Sequence, residues 1–145
     1  MNSTASTVTS GPPVATVLRG ESADSIHRAR EATRAFTGGL IPAPDPAVAD
    51  TLVLVVSELA TNALRHGGGH YTLELSASPD TLAAAVSDPS PATPRERTPD
   101  LNDGNGGFGW HMVRHLTSHL TITPGPGAGK TIHAQLPRLR PSPTS

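Results

Sequence analysis

The stretch Thr123–Pro137, TPGPGAGKTIHAQLP, decides how the rest of the chain is to be read. Its Gly129-Lys130-Thr131 carries the closing letters of a phosphate-binding P-loop, which needs a glycine, four residues, then Gly-Lys-Ser/Thr. Pro124 stands where the first glycine belongs, and proline has a fixed φ and no N–H to turn toward a phosphate. A P-loop must also feed a helix, whose N-terminus helps to hold the phosphates. Here Ile132, Ala134 and Leu136 instead alternate with Thr131, His133 and Gln135, the period of a strand. The prolines and glycines are therefore a hairpin connection between LTIT and TIHAQLP, and Lys130 receives no role.

The 145 residues are expected to form one domain with a single core. A net charge of −1 leaves no basic footprint for nucleic acid or anionic lipid. Aromatic residues at 3 % offer little for base stacking, and the lack of cysteine excludes disulfides and thiolate metal sites. No run of about 18 apolar residues marks a membrane span, and the N-terminus lacks a basic region followed by an apolar one. A cytoplasmic protein is the expectation.

Residues 1–13 are rich in Ser and Thr, and 138–145 are punctuated by proline; both are expected to be disordered tails around a domain at 14–137. VATVLRG (14–20) reads as a short strand. In SADSIHRAREATRAF, Ile26, Ala29, Thr33 and Phe36 recur at helical spacing, with Ser22 or Asp24 as cap. Asp45-Pro46 starts a longer helix, AVADTLVLVVSELATNALRH, which stops at Gly67-Gly68-Gly69. The period then changes to two in YTLELSA and TLAAAVSD, joined by a turn at Pro79-Asp80. Residues 89–107 have no periodicity, and GWHMVRHLTSHL resumes helical spacing.

Glu58 and Asn62 lie one turn apart on the long helix, in an otherwise apolar stretch. They suit either a cleft, where a carboxylate takes a proton and an amide oxygen ligates Mg²⁺, or an ordinary solvated face. Asp88 ends a strand, where it could accept hydrogen bonds from a ligand or merely form an Asx-turn. GNGGFG, with Gly104, Gly106, Gly107 and Gly109, precedes a helix but follows no strand, which excludes a dinucleotide fingerprint. Glycines before a helix start can still bring backbone N–H groups to a phosphate. His111, His115 and His119 form an i, i+4, i+8 row without an acidic companion, a solvated face rather than a metal site.

In order along the chain, SELATNALRHG, VSDPSP, GNGGFGWHMV and GKTIHAQL resemble the N, G1, G2 and G3 boxes of the GHKL ATPase superfamily, the Bergerat fold. Within it the chain is most similar to bacterial anti-sigma-factor serine/threonine kinases. The resemblance implies an α/β two-layer sandwich: a mixed, mostly antiparallel sheet with helices on one face. It implies ATP and Mg²⁺ as cofactors and a protein serine or threonine as phosphate acceptor. It makes Glu58 the general base, Asn62 the Mg²⁺ ligand and Asp88 the acceptor for the adenine amino group. Gly104, Gly106, Gly107 and Gly109 become the lid over the phosphates, and Thr131 supports the adenine end. The implied partners are a STAS-domain anti-sigma antagonist, a sigma factor and a second copy of the chain. Trp110 and Phe108 depart from the family's usual lid residues. An alternative is a non-catalytic regulator whose bound ATP switches partner affinity; Glu58 argues against it, because binding alone needs no base. A metal-binding module built on the histidine row is a third class.

Overall fold

The alternating segments form strands with the expected bounds: β2 at Tyr71–Ala77 and β3 at Thr81–Asp88. The computed structural model describes residues 14–91, 108–125 and 127–138, which contain β1 (Val14–Gly20), α1 (Asp24–Gly38), α2 (Pro46–His66), β2, β3, α3 (Phe108–Leu116), β4 (His119–Pro124) and β5 (Lys130–Pro137). The strands make one five-stranded sheet in the order β1-β2-β3-β5-β4. Every pairing in it is antiparallel, so the mixed sheet expected from sequence is antiparallel throughout the described residues. The architecture is the two-layer sandwich expected, with the helices over one face.

The period-two pattern sets that layering. Tyr71, Leu73, Leu75 and Ala77 on β2, Leu82, Ala84 and Val86 on β3, and Ile132, Ala134 and Leu136 on β5 are all buried. They form one core with Leu52, Val55, Val56, Leu59, Ala60 and Ala63 of α2 and with Ala29 and Phe36 of α1. The residues between them, such as Ser76, Ala85, Thr131 and His133, fall on the other face. α2 is the central helix, with α1 and α3 packed on its flanks. It is also the one helix among the described residues long and apolar enough to cross a membrane, but its apolar stripe is spent on the sheet.

The turn from β4 to β5 is the hairpin foreseen at Pro124–Lys130. Pro124 pairs with Lys130, the Gly125 N–H donates to the Gly129 carbonyl at 2.8 Å, and Gly127 has φ +67°, a region glycine enters without a steric cost. Asp45 and Pro46 open α2 as expected. Neither Ser22 nor Asp24 caps α1. Ala23 holds the N-cap position, and Ser25 Oγ donates to the Ser22 carbonyl while bonding the Tyr71 hydroxyl at 2.9 Å. The buried hydroxyl of Tyr71 draws Ser25 into the core and so shifts the cap.

Two boundaries also move. α3 stops at Leu116, and His119 begins β4, so the histidine row is broken: His111 and His115 lie with ring centroids 4.5 Å apart and planes tilted by 48°, whereas His119 is in the sheet. Arg138, expected in the tail, is buried and donates from Nη1 to Ser78 O and from Nη2 to Pro42 O, both at 2.9 Å. Leu59 sits at the centre of the core, so Leu59→Ala is expected to lower unfolding free energy by about 2–5 kcal/mol, read as a fall in urea midpoint at unchanged slope.

Candidate functional site

Strand β3 leaves the sheet at Asp88, whose side chain points into the helical layer in phase with Leu82, Ala84 and Val86. Antiparallel register puts Lys130 directly opposite, in phase with Ile132, Ala134 and Leu136. The two close on each other. Lys130 Nζ donates to Asp88 Oδ1 at 2.9 Å and to Oδ2 at 3.0 Å, and to the Ser90 carbonyl at 3.2 Å. The Ser90 N–H donates to Asp88 Oδ1 at 2.9 Å. The side chains of Lys130 and Asp88 are 4 % and 1 % exposed. All three ammonium protons therefore have acceptors, which a buried charge requires.

The end of α2 closes the other side of the pair. Gly67 closes that helix, its N–H donating to Ala63 O at 2.9 Å. A Cβ on Gly67 would run into Asp88, coming within 2.6 Å of Cγ and closer still to Oδ2. The glycine run after α2, expected only as a stop, thus lets the helix end lie directly against the Asp88 carboxylate.

Glu58 and Asn62 lie on α2 itself. Both are half-buried, beside a stripe in which Leu59, Ala60 and Ala63 are fully buried. Burial raises the Glu58 carboxyl above the ordinary carboxylate value, and the positive charge of Arg65 draws it part of the way back. This is a proton acceptor nearer to working pH than a solvated glutamate. α3 packs on α2 through a buried Val113, and Gly109 lies in its first turn, where backbone N–H groups have no intrahelical acceptor. Gly104, Gly106 and Gly107 lie outside the described residues.

Thr131 lies elsewhere. The pleat turns its side chain to the face away from the helices, where its hydroxyl bonds Ser87 Oγ at 2.8 Å. Lys130, one residue earlier, holds the position beside Asp88. The signal was present in the alternation of TIHAQLP: extended back by one residue, it puts the chain's single lysine on the apolar face. Among the described residues no group of three His, Cys, Asp or Glu side chains could hold a metal ion. A cleft of about 210 Å³ between α3 and β4, lined by Trp110, Arg114, Thr117, Ser118, Leu120 and Ile122, contains none of the expected site residues. It is also smaller than the roughly 300–1,000 Å³ of common ligand pockets.

The sequence profile of the histidine kinase-like ATPase domain family matches residues 21–136. No curated protein registers a match. Among solved structures, one of the RsbU and RsbW domains of Rv1364c from Mycobacterium tuberculosis superposes with a TM-score of 0.61 at 17 % identity, covering 88 % of this chain and 34 % of that one. The histidine kinase domain of the blue-light activated histidine kinase of Erythrobacter litoralis EL346 superposes with a TM-score of 0.50 at 23 % identity, covering 78 % of this chain and 59 % of that one. The chain thus spans about a third and about three-fifths of these two neighbours, and the likeness is one of fold.

Two substitutions probe the clamp. Gly67→Ala should cost about 1–3 kcal/mol, because the new methyl overpacks against Asp88 and the backbone. Lys130→Met should cost about 3–5 kcal/mol by stranding a buried carboxylate, with part of the loss recovered when Asp88→Asn is added. Urea unfolding of the three variants and the parent measures both effects.

Proposed function

Because this chain belongs to the histidine kinase-like ATPase domain family, we propose that it binds Mg²⁺-ATP between α2, the Asp88 end of β3 and the first turn of α3, and transfers the terminal phosphoryl group to a serine or threonine of a protein partner. The observation that carries this reading is the half-buried edge of α2: a carboxyl and an amide one turn apart, with the carboxyl held back from its usual acidity by desolvation.

In this reading Glu58 accepts the proton of the acceptor hydroxyl as its oxygen bonds to the terminal phosphorus and the bond to the ADP oxygen breaks. The donor set fits a magnesium ion that arrives with its nucleotide. Asn62 offers one hard oxygen, and Mg²⁺ is commonly held by one or two protein oxygens together with substrate phosphates rather than by a protein cage. Bound there, the ion would neutralise phosphate charge, and the first turn of α3 would add its N–H groups and dipole. Among the described residues Asp88 is the carboxylate at the sheet end of the site, and it takes the exocyclic amino group of adenine. The proposed protein substrate is a STAS-domain anti-sigma antagonist, with a sigma factor as the regulated partner, a second copy of the chain as a dimer mate, and the cytoplasm as the setting; the fold likeness to a chain described as containing an RsbW domain supports this choice.

Glu58→Gln should lower transfer to an antagonist by roughly 10²–10⁴-fold while leaving nucleotide affinity near that of the parent. Wild-type transfer by this variant would remove Glu58 as the base, whereas ATP binding by the parent with no transfer to an antagonist would sink the kinase reading and leave a nucleotide-switched regulator. Asp88→Asn should weaken ATP binding in a fluorescence titration; an unchanged affinity would remove Asp88 from base recognition.

Transfer should also fall as pH drops through a pKa above the usual glutamate value of about 4.3, since the base must be ionised. The same raised pKa has a sign for stability. The folded chain binds the proton more tightly than the unfolded one, so this contribution is full at low pH and is lost as pH rises through the Glu58 window. Glu58→Gln should therefore raise the melting temperature at neutral pH and lose that advantage below about pH 4.

A further inference from the structure

We propose that Lys130 competes with the nucleotide base for Asp88, and so sets both the affinity and the base selectivity of the site. The inference rests on Asp88 being the base-recognising carboxylate. That carboxylate is sealed: both oxygens accept from Lys130 Nζ, Oδ1 also accepts from the Ser90 N–H, Gly67 lies against Oδ2, and the side chain is 1 % exposed. An exocyclic amino group has no approach to it while this arrangement holds.

The competitor can yield without being stranded. Lys130 has a third acceptor, the Ser90 carbonyl at 3.2 Å, which does not belong to Asp88. Ser90 lies beyond the last paired residue of β3, so that contact can follow the lysine when the carboxylate turns. A base carrying an amino group then replaces the charge-assisted donor on Asp88, whereas a base without one offers nothing in exchange. The closed pair lowers apparent affinity by the fraction of molecules in which Asp88 is open. It also narrows discrimination, because the cost of opening the pair falls on the ligand whose amino group takes the lysine's place on Asp88, while a base without one leaves the pair closed. Lysine suits this role better than a short hydroxyl residue at the same register: its reach spans both oxygens and the loop carbonyl at once.

The test titrates ATP and inosine triphosphate, which lacks the amino group, against the full chain in Mg²⁺ buffer, using wild type, Lys130→Met and Lys130→Gln. Thermal melting of each protein runs alongside. Met comes within one atom of the length and removes every donor; Gln retains a neutral amide NH₂ as donor and serves if Met leaves Asp88 too costly to fold. Tighter ATP binding by about tenfold in Lys130→Met, or about threefold in Lys130→Gln, is what removal of a competitor that holds the carboxylate some nine-tenths of the time would produce. Inosine triphosphate should gain less than ATP. Weaker or unchanged ATP binding, or an equal gain for both nucleotides, overturns the competition. If Lys130→Met binds the two nucleotides alike, or the folded proteins bind neither, it is the assignment of Asp88 as base acceptor that fails, a result distinct from any effect of Lys130.

Discussion

Asp88 and Lys130 face each other across β3 and β5 at positions whose neighbours along both strands are buried alanine, valine, leucine and isoleucine. A charge pair in that setting has few stable arrangements. Each ion loses several kcal/mol of hydration, and only mutual contact with filled hydrogen-bond positions offsets the loss. The structure meets that condition with one geometry: ammonium on both carboxylate oxygens, the loop carbonyl on the third proton, and the Ser90 N–H on the carboxylate. Slipping β5 by one residue would send Lys130 to the open face and strand Asp88. The pair therefore specifies the register of the two central strands and the path by which the chain leaves β3.

Around it, α2 has two duties that its sequence keeps apart by angle. One side is a continuous apolar stripe that buries Leu52, Val55, Val56, Leu59 and Ala63 against the sheet. The adjoining side carries Glu58 and Asn62 at the edge of that burial, wet enough to meet a ligand and dry enough to change the carboxyl's acidity. The helix then ends in glycine where it must touch Asp88. Helix, strand end and hairpin thus converge on one corner of the sandwich. This corner is where an antiparallel sheet covered on one face leaves polar side chains among the helices.

The expectations that failed share a physical cause. Helical spacing in GWHMVRHLTSHL runs on to Leu120, but Ser118 N–H and Oγ bond the Gln135 carbonyl at 2.8 and 3.0 Å, so pairing with β5 ends the helix early. A pairing partner seventeen residues away leaves no mark in a local period. A motif is matched by letters, while a strand assigns faces by parity, so the side chain that shares a face with Asp88 is that of Lys130 and not of Thr131. The cap of α1 moved because Tyr71 bonds Ser25 from a distant strand. Where local pattern and tertiary contact agree, as in β2, β3 and the Asp45-Pro46 start of α2, the sequence was legible to the residue.

By itself, then, the sequence determined the element types, the hairpin in place of a P-loop, the apolar faces and the one-turn spacing of Glu58 and Asn62, because each is a matter of period, φ or side-chain chemistry along a few residues. Only the tertiary structure decided what Asp88 faces, which of Lys130 and Thr131 enters the helical layer, and how the end of α2 lies against a carboxylate. Those depend on strand register and on the burial of charge, and neither exists until separate parts of the chain are brought together.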